Sequence, residues 1–323
     1  MIDIPLLIYF AFWYLGNYYY NIQNKTAANE AGGSDFAMTI ATAQLAVGVV
    51  YAIFLWVAPD ARKPPQITMN DFMKMIPVGV CSAGAHAASV FSLSAGGVAF
   101  GQIVKAAEPA FSAVIGTVFY RKNISFAKWM CLIPIIGGVC LAALKQKADG
   151  SIELDFTVGG LVGAMIANVF ASFKALENKK MMETEGLKDR FGSVGNQFAL
   201  MTIISFIVSI PLMFYREGPK LNEFVDMFNT KKKLFDNVIL SGVTFYMYNE
   251  LSTMTLKKIS AVTQSVANTA KRVVVIVGSA IVFNESISGL KAIGCAICIG
   301  GVFLNSVIDD IVGKKKEEPK KVN

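Results

Sequence analysis

Charge is scarce in this chain of 323 residues. Only 16% of its residues are Asp, Glu, Lys or Arg, while 54% are hydrophobic; an ordinary soluble domain carries roughly 25% charge. The shortage excludes a soluble globular fold with a conventional surface. The apolar residues gather in long runs, so a polytopic helical membrane protein is expected. Histidine occurs once, at His86, which excludes a His-rich metal centre. The cysteines Cys81, Cys131, Cys140, Cys295 and Cys298 all lie in apolar stretches. Cys295-x-x-Cys298 has the spacing of a redox or metal motif but no polar ligand around it, so it is expected to serve packing. A nucleophile elbow, a phosphate-cradling glycine loop and an HExxH helix are all missing. No catalytic residue, metal or cofactor is therefore expected. The formal charge of +7 is assigned to loop lysines, which in a membrane chain set topology and do not point to nucleic acid.

What is present is a succession of ten apolar spans, at 4–22, 37–58, 72–94, 96–120, 126–144, 157–177, 195–215, 234–256, 260–283 and 288–308. The first lacks the basic start and short core of a cleaved signal, so it is read as a true span; no plastid-type transit sequence is recognisable. Ten spans place both termini on one side. That side carries nearly twice as many Lys and Arg residues as the other, which puts it on the cytosol-like face. An internal repeat runs through the chain without a gap. Ile124-Ser125 and Gly137-Gly138-Val139 match Ile287-Ser288 and Gly300-Gly301-Val302, and Lys128 matches Lys291. Repeats of five spans insert with opposite orientation because five is odd. The fold class expected is all-α: ten transmembrane helices in two inverted five-helix repeats, with a site near the midplane at the repeat interface. The chain is one transmembrane transporter domain, 1–323, with repeats of approximately 1–148 and 149–310 and a basic tail at 311–323.

The cations inside the spans are Lys105, Lys174, Lys271 and Arg272. A cation at the bilayer centre costs at least about 2.5–3.5 kcal/mol, so such residues face a cavity or a partner. Lys271 and Arg272 lie mid-span, and the repeat aligns their span with that of Lys105. Lys105 and Glu108 are three residues apart, hence on one helix face, and Pro109 is expected to kink their helix. Lys105, Lys271 and Arg272 against Glu108 leave two positive charges, which a phosphate monoester of about −1.5 to −2 would neutralise. Arg272 offers a donor fork suited to phosphate oxygens. An empty site would close over uncompensated charge, so exchange of one phosphorylated species for another is expected. His86, Tyr246, Tyr248 and Asn249 are expected beside the anion pocket. Lys174, nearer a membrane edge, either joins them or snorkels to the surface. Trp13, Tyr14 and the run Tyr18-Tyr19-Tyr20 are read as belt and packing.

These residues carry a resemblance. Tyr248-Asn249 with Val262-Thr263-x-Ser265-Val266-x-Asn268-x-x-Lys271-Arg272-Val273-Val274 strongly resembles the plastidic phosphate translocators of the drug/metabolite transporter superfamily. So do Ile103-x-Lys105-x-x-Glu108-Pro109, Asn21-Ile22-x-Asn24-Lys25 and Asn178-Lys179-Lys180. The resemblance covers nearly the whole chain and implies an antiporter in the envelope of a plastid or complex plastid. It would exchange inorganic phosphate for phosphorylated three-carbon metabolites (triose phosphate, 3-phosphoglycerate), with other sugar phosphates open. It further implies that Lys105, Lys271 and Arg272 clamp phosphate and that His86 and Tyr248 sort substrates, with Ser89 where some relatives have Thr. The chain departs from the family pattern at Gly101-Gln102, in place of Thr-His, at Lys174, in place of Arg, and at Glu250, in place of Gln.

Two other readings compete. A nucleotide-sugar antiporter of the ER or Golgi fits the superfamily, and Lys320-Lys321-Val322-Asn323 resembles a dilysine retrieval tail. A phospholipid-processing membrane enzyme would need paired carboxylates or a nucleophile near the cations, and only Glu108 is expected in the core.

Overall fold

The structure is a computed structural model that describes residues 4–147, 149–256, 261–285 and 287–317, with backbone alone at 4–5, 256, 261–266, 269, 310 and 313–317. It is mostly helical. In chain order the helices are α1 (Ile4–Glu30), α2 (Ala37–Val57), α3 (Met69–Ala95), α4 (Val98–Ala106), α5 (Glu108–Tyr120) and α6 (Phe126–Ala142). A hairpin of β1 (Leu144–Gln146) and β2 (Ile152–Leu154) follows, paired antiparallel with Lys145 opposite Glu153. Then come α7 (Val158–Met182), α8 (Leu187–Phe191), α9 (Val194–Glu217), α10 (Leu221–Thr230), α11 (Lys232–Leu256), α12 (Ala261–Phe283) and α13 (Gly289–Glu317). The polar connection after α9 is thus itself helical, and the hairpin was not foreseen.

Among the described residues, six helical stretches are long and apolar enough to cross a membrane: Ser34–Val57, Met69–Ala95, Val98–Tyr120, Val158–Met182, Val194–Thr230 and Gly289–Asp309. Phe126–Ala142 is apolar but shorter. α1 and α11, expected as spans, fall outside this set, as does α12, whose side chains are described only in part. Composition explains the first two, because α1 carries Asn17, Asn21 and Asn24 and α11 carries Asn249 and Glu250. Large apolar side chains face outward around the molecule, among them Phe12, Val57, Phe119, Ile133 and Ile281, as a lipid-facing surface requires.

Local chemistry fixes the helix ends. Thr68 and Asp71 form a reciprocal capping box at the start of α3, and Arg190 from α8 grips Asp71 with two hydrogen bonds of 2.7 Å. Ser125, Thr157 and Ser193 cap α6, α7 and α9 through their hydroxyls. The fourth expected span is two helices, broken at Ala107. Pro109 has no N–H to give the carbonyl of Lys105, four residues back, and its ring crowds that carbonyl. The Asn168 side chain of α7 donates to the nearby Val104 carbonyl at 2.9 Å, which satisfies part of the opened backbone.

The helices pack in matched pairs. α1 lies on α11 and α3 on α7; α2 lies on α9, α6 on α13 and α4 on α12. α3 also meets α9, and α2 meets α11. The α6–α13 contact is close because of glycine. A Cβ on Gly138 would sit 2.4 Å from the Cys298 nitrogen, and one on Gly301 would sit 2.9 Å from Ile135 Cγ1. Cys298 is fully buried in this contact with Leu132 and Ile135. Lys128, at the start of α6, pairs with Asp309 at 2.5 Å, and Lys291, at the start of α13, pairs with Asp155 at 2.6 Å.

Candidate functional site

At the break between α4 and α5 lies a cavity of about 210 Å³ among α1, α3, α4, α5, α7, α9, α11 and α12. All eight residues singled out from the sequence line it: Lys105, Lys271, Arg272, His86, Tyr248, Ser89, Asn249 and Lys174. Lys174 does not snorkel away. The cavity therefore holds four cations against one carboxylate, Glu108. The spans explain the convergence. Lys105 lies in the last turn of α4, two residues before the break, and Lys271 and Arg272 sit midway along α12, which packs on α4.

Each cation has a specific neighbour. Lys105 Nζ donates to Ser89 Oγ at 3.1 Å, and Ser89 donates in turn to the Ala85 carbonyl at 2.6 Å. Arg272 Nη2 stands 3.4 Å from Glu108 Oε2. The break turns Glu108 onto Arg272, so the expected pairing along one helix face with Lys105 gives way to one between α5 and α12. Lys271 Nζ lies 5.1 Å from the centre of the Trp13 ring, a cation–π distance. Trp13 is fully buried, and Tyr14 donates to the Ala267 carbonyl at 2.6 Å. These two residues of α1 hold α12 and its lysine, beyond the packing role expected of them.

Opposite the cations stands an aromatic wall. The His86 ring is 4.2 Å from that of Phe245, and Tyr20 lies against both His86 and Tyr248. His86 is buried, and its Nε2 has no hydrogen-bond partner among the described residues. A buried polar atom left unpaired costs roughly 1–3 kcal/mol, and this one lines the cavity. Tyr246, expected in the cavity, is fully buried against Ala52, Phe198 and Ala199. Its neighbour in sequence, Tyr248, takes the cavity position because residues two apart in a helix point to different faces.

Sequence reasoning missed Asn17, Asn21, Gln102 and Asn168, which also line the cavity. The signal was available, since amides inside apolar helices demand partners. It also placed only Glu108 in the core. Glu217 and Glu250 are buried too. Glu217 accepts from Met38 N, Thr39 N and Thr39 Oγ1, and Glu250 pairs with Arg62 at 2.5 Å. Glu217 is satisfied by neutral donors and Glu250 by a cation, and neither lines the cavity.

The surroundings of the cavity differ on its two sides. On the side of the hairpin, Lys25 donates to the carbonyls of Leu93 at 2.9 Å and Gly96 at 2.7 Å, and Glu285 caps α4. Beyond this seal lies a second cavity of about 440 Å³ that includes Asp155, Glu285 and Lys291. On the opposite side a third, of about 190 Å³, shares Lys174, Phe198, Met201 and Asn249 with the central one.

Comparisons with known proteins agree on a family. The profile of the Triose-phosphate Transporter family matches residues 4–306. The chain is 33% identical to the glucose-6-phosphate/phosphate translocator 2 of Arabidopsis thaliana chloroplasts, over 93% of this chain and 74% of that one. It is 36% identical to the chloroplastic phosphoenolpyruvate/phosphate translocator 3 of Oryza sativa subsp. japonica, over 91% and 72%. It is 33% identical to the chloroplastic triose phosphate/phosphate translocator of Pisum sativum, over 97% and 74%. One solved crystal structure superposes with a TM-score of 0.50 over 95% of this chain and 99% of its own, at 13% identity. At that identity the likeness concerns the fold alone.

Proposed function

The chain belongs to the Triose-phosphate Transporter family, and on that premise we propose that it is an antiporter of the plastid envelope that exchanges inorganic phosphate for phosphorylated three-carbon metabolites. It is a carrier and performs no chemical conversion. The observation that carries the reading is the meeting of Lys105 with Lys271 and Arg272 around one cavity. Phosphate has the charge to balance them, and the Arg272 fork and the two ammonium groups donate to its oxygens. Ser89, His86, Tyr248 and Asn249 contact the remainder of the substrate, and Lys174 adds charge beside them. Inorganic phosphate, phosphorylated metabolites and the bilayer are the partners.

The architecture proposed is ten membrane helices in two inverted halves, one ending near the hairpin and one beginning at α7. Helix pairing supports it. Counting α4 and α5 as one span and omitting α8 and α10, each helix of the first half has a partner five spans later. Exchanging partners turns the α1–α11 contact into α3–α7, and α2–α11 into α3–α9. The lysines of the ion pairs Lys128–Asp309 and Lys291–Asp155 and the glycines Gly138 and Gly301 also exchange. Such a repeat supports alternating access around a fixed midplane site, with the Lys25–Glu285 side closed in the state described.

A nucleotide-sugar antiporter is not favoured, because the relatives described above are plastid translocators of phosphate and small phosphorylated metabolites. The dilysine tail that raised the idea lies outside the described residues. A phospholipid enzyme has little to work with, as Glu108 is the one carboxylate among the described residues that line the cavity. Counter-exchange in proteoliposomes tests the proposal. Labelled phosphate should enter vesicles loaded with phosphate, triose phosphate or 3-phosphoglycerate, and Lys271→Ala or Arg272→Ala should abolish it. Retained exchange in both variants would remove the phosphate clamp.

A further inference from the structure

The donors and acceptors of the cavity are unevenly divided. Lysine and arginine only donate, so the four cations serve anionic oxygen and cannot accept from a hydroxyl. The substrate's carbon body needs acceptors of its own. Gln102 lies three residues before Lys105 on α4, and both line the cavity. Its side-chain amide donates to Asn21 Oδ1 at 2.8 Å, and Asn21 donates to the Asn17 carbonyl at 2.7 Å. All three residues are at most 6% exposed. This chain of amides fixes the sense of Gln102. One of its two N–H donors is used on α1, and its Oε1 accepts no hydrogen bond among the described residues. A carbonyl oxygen is thus held in a buried site with its orientation fixed from the nitrogen side.

We propose that Gln102, oriented by Asn21 and Asn17, is a specificity-determining residue that accepts the hydroxyl at the far end of a three-carbon phosphate. The inference rests on the phosphate lying at Lys105, Lys271 and Arg272. Three residues along a helix rise about 4.5 Å. The four bonds from the ester oxygen to the terminal hydroxyl oxygen of a triose phosphate, each about 1.5 Å and zigzag, span about 5 Å. One turn of α4 therefore matches the length of the substrate. Phosphoenolpyruvate has no hydroxyl to offer and would set its carboxylate against the Gln102 oxygen. The carrier accordingly prefers dihydroxyacetone phosphate over phosphoenolpyruvate. Inorganic phosphate, which has no carbon body, ignores Gln102.

The test uses the full chain in proteoliposomes, with labelled phosphate outside and phosphate, dihydroxyacetone phosphate or phosphoenolpyruvate inside. Gln102→Met keeps the side-chain length and removes the acceptor. Phosphate–phosphate exchange should stay within about twofold of the parent, and the KM for dihydroxyacetone phosphate should rise by between about two- and tenfold, the range of one neutral hydrogen bond. Phosphoenolpyruvate exchange should not fall. Gln102→Asn, which keeps an amide but withdraws its oxygen by about one bond length, should show the same selective loss. Ligand-induced thermal stabilisation in detergent reads the effect without transport: protection by phosphate should persist and protection by dihydroxyacetone phosphate should weaken. Equal loss for phosphate and dihydroxyacetone phosphate in both variants would reduce Gln102 to helix packing and overturn the proposal. So would an unchanged preference. Failure of Lys271→Ala and Arg272→Ala to stop exchange would instead remove the phosphate clamp beneath it.

Discussion

Glu285 holds the first turn of α4: its carboxylate accepts from Val98 N at 2.8 Å and from Ala99 N at 3.1 Å. Those are two of the backbone donors that every helix start leaves unsatisfied, and the negative charge suits the positive end of the helix dipole. Lys25 completes the seal on the carbonyls of Leu93 and Gly96 at the end of α3. The sequence pair Asn24-Lys25 recurs as Asn178-Lys179 in the second half, yet Lys179 is exposed. One side of the cavity is locked while the equivalent lysine on the other stands free of such a lock. Each charge-assisted hydrogen bond contributes about 1.5–3 kcal/mol. Glu285→Ala should shift the balance toward opening on the hairpin side by roughly tenfold or more. A cysteine placed at Ser82, in the cavity lining, with the five native cysteines replaced, should then react several-fold faster with an impermeant thiol reagent applied from that side. An unchanged rate would mean that the lock lies elsewhere.

The pairing of Glu108 with Arg272 sets the charge of the empty cavity. Glu108→Gln removes the one carboxylate from a lining with four cations. Phosphate then meets a more positive site with a freer guanidinium. The expected result is a lower KM for phosphate together with slower maximal exchange, because release becomes the slow step. Initial-rate kinetics over a range of phosphate concentrations measures both. A raised KM would show that Glu108 is needed to position Arg272.

Gly195 stands where the Arg62–Glu250 pair crosses the start of α9. A Cβ there would come 2.3 Å from Glu250 Oε1 and 2.8 Å from Arg62 Cζ. Gly195→Ala must therefore displace a buried ion pair, and breaking such a pair costs about 3–5 kcal/mol when a charge is left uncompensated. Gly195→Ala is expected to lower the thermal unfolding temperature of the detergent-solubilised protein by several degrees. Gly289→Ala, where a Cβ meets nothing within 4 Å, serves as the control and should leave it unchanged.

How far the sequence revealed this site follows from what kind of signal each residue emits. Lys271 and Arg272 announce themselves, since a cation in an apolar span has few explanations. The register of the repeat brought Lys105 to the same place. The break at Ala107 was foreseen only as a kink, because Pro109 reports a missing N–H but not how Asn168 takes up the Val104 carbonyl. Tyr246 and Tyr248 could not be separated by composition. Their faces depend on how α11 is rotated, and packing against α1, α2 and α9 decides that. Trp13 was read as belt and packing because aromatic residues of membrane helices have that ordinary use, and its lysine partner lies more than 250 residues away. The lock at Glu285 was illegible, since a carboxylate in a connection gives no hint that it caps a helix far from it in sequence.

The excess of positive charge in the central cavity should couple the two directions of transport. Closing an empty cavity over several cations and one carboxylate strips water from charges that nothing balances, at several kcal/mol per ion. Phosphate entering with about −2 charge removes most of that cost. Loaded carriers should therefore change sides readily and empty ones rarely, so vesicles without an internal counter-anion should take up little labelled phosphate. Removing one cation relaxes the constraint. Lys105→Gln should lower the rate of phosphate exchange but raise the ratio of net efflux to exchange, because the empty cavity closes over less charge. That ratio is obtained from efflux of preloaded labelled phosphate into buffer with and without external phosphate. If it falls or stays fixed in Lys105→Gln, charge in the cavity is not what enforces exchange.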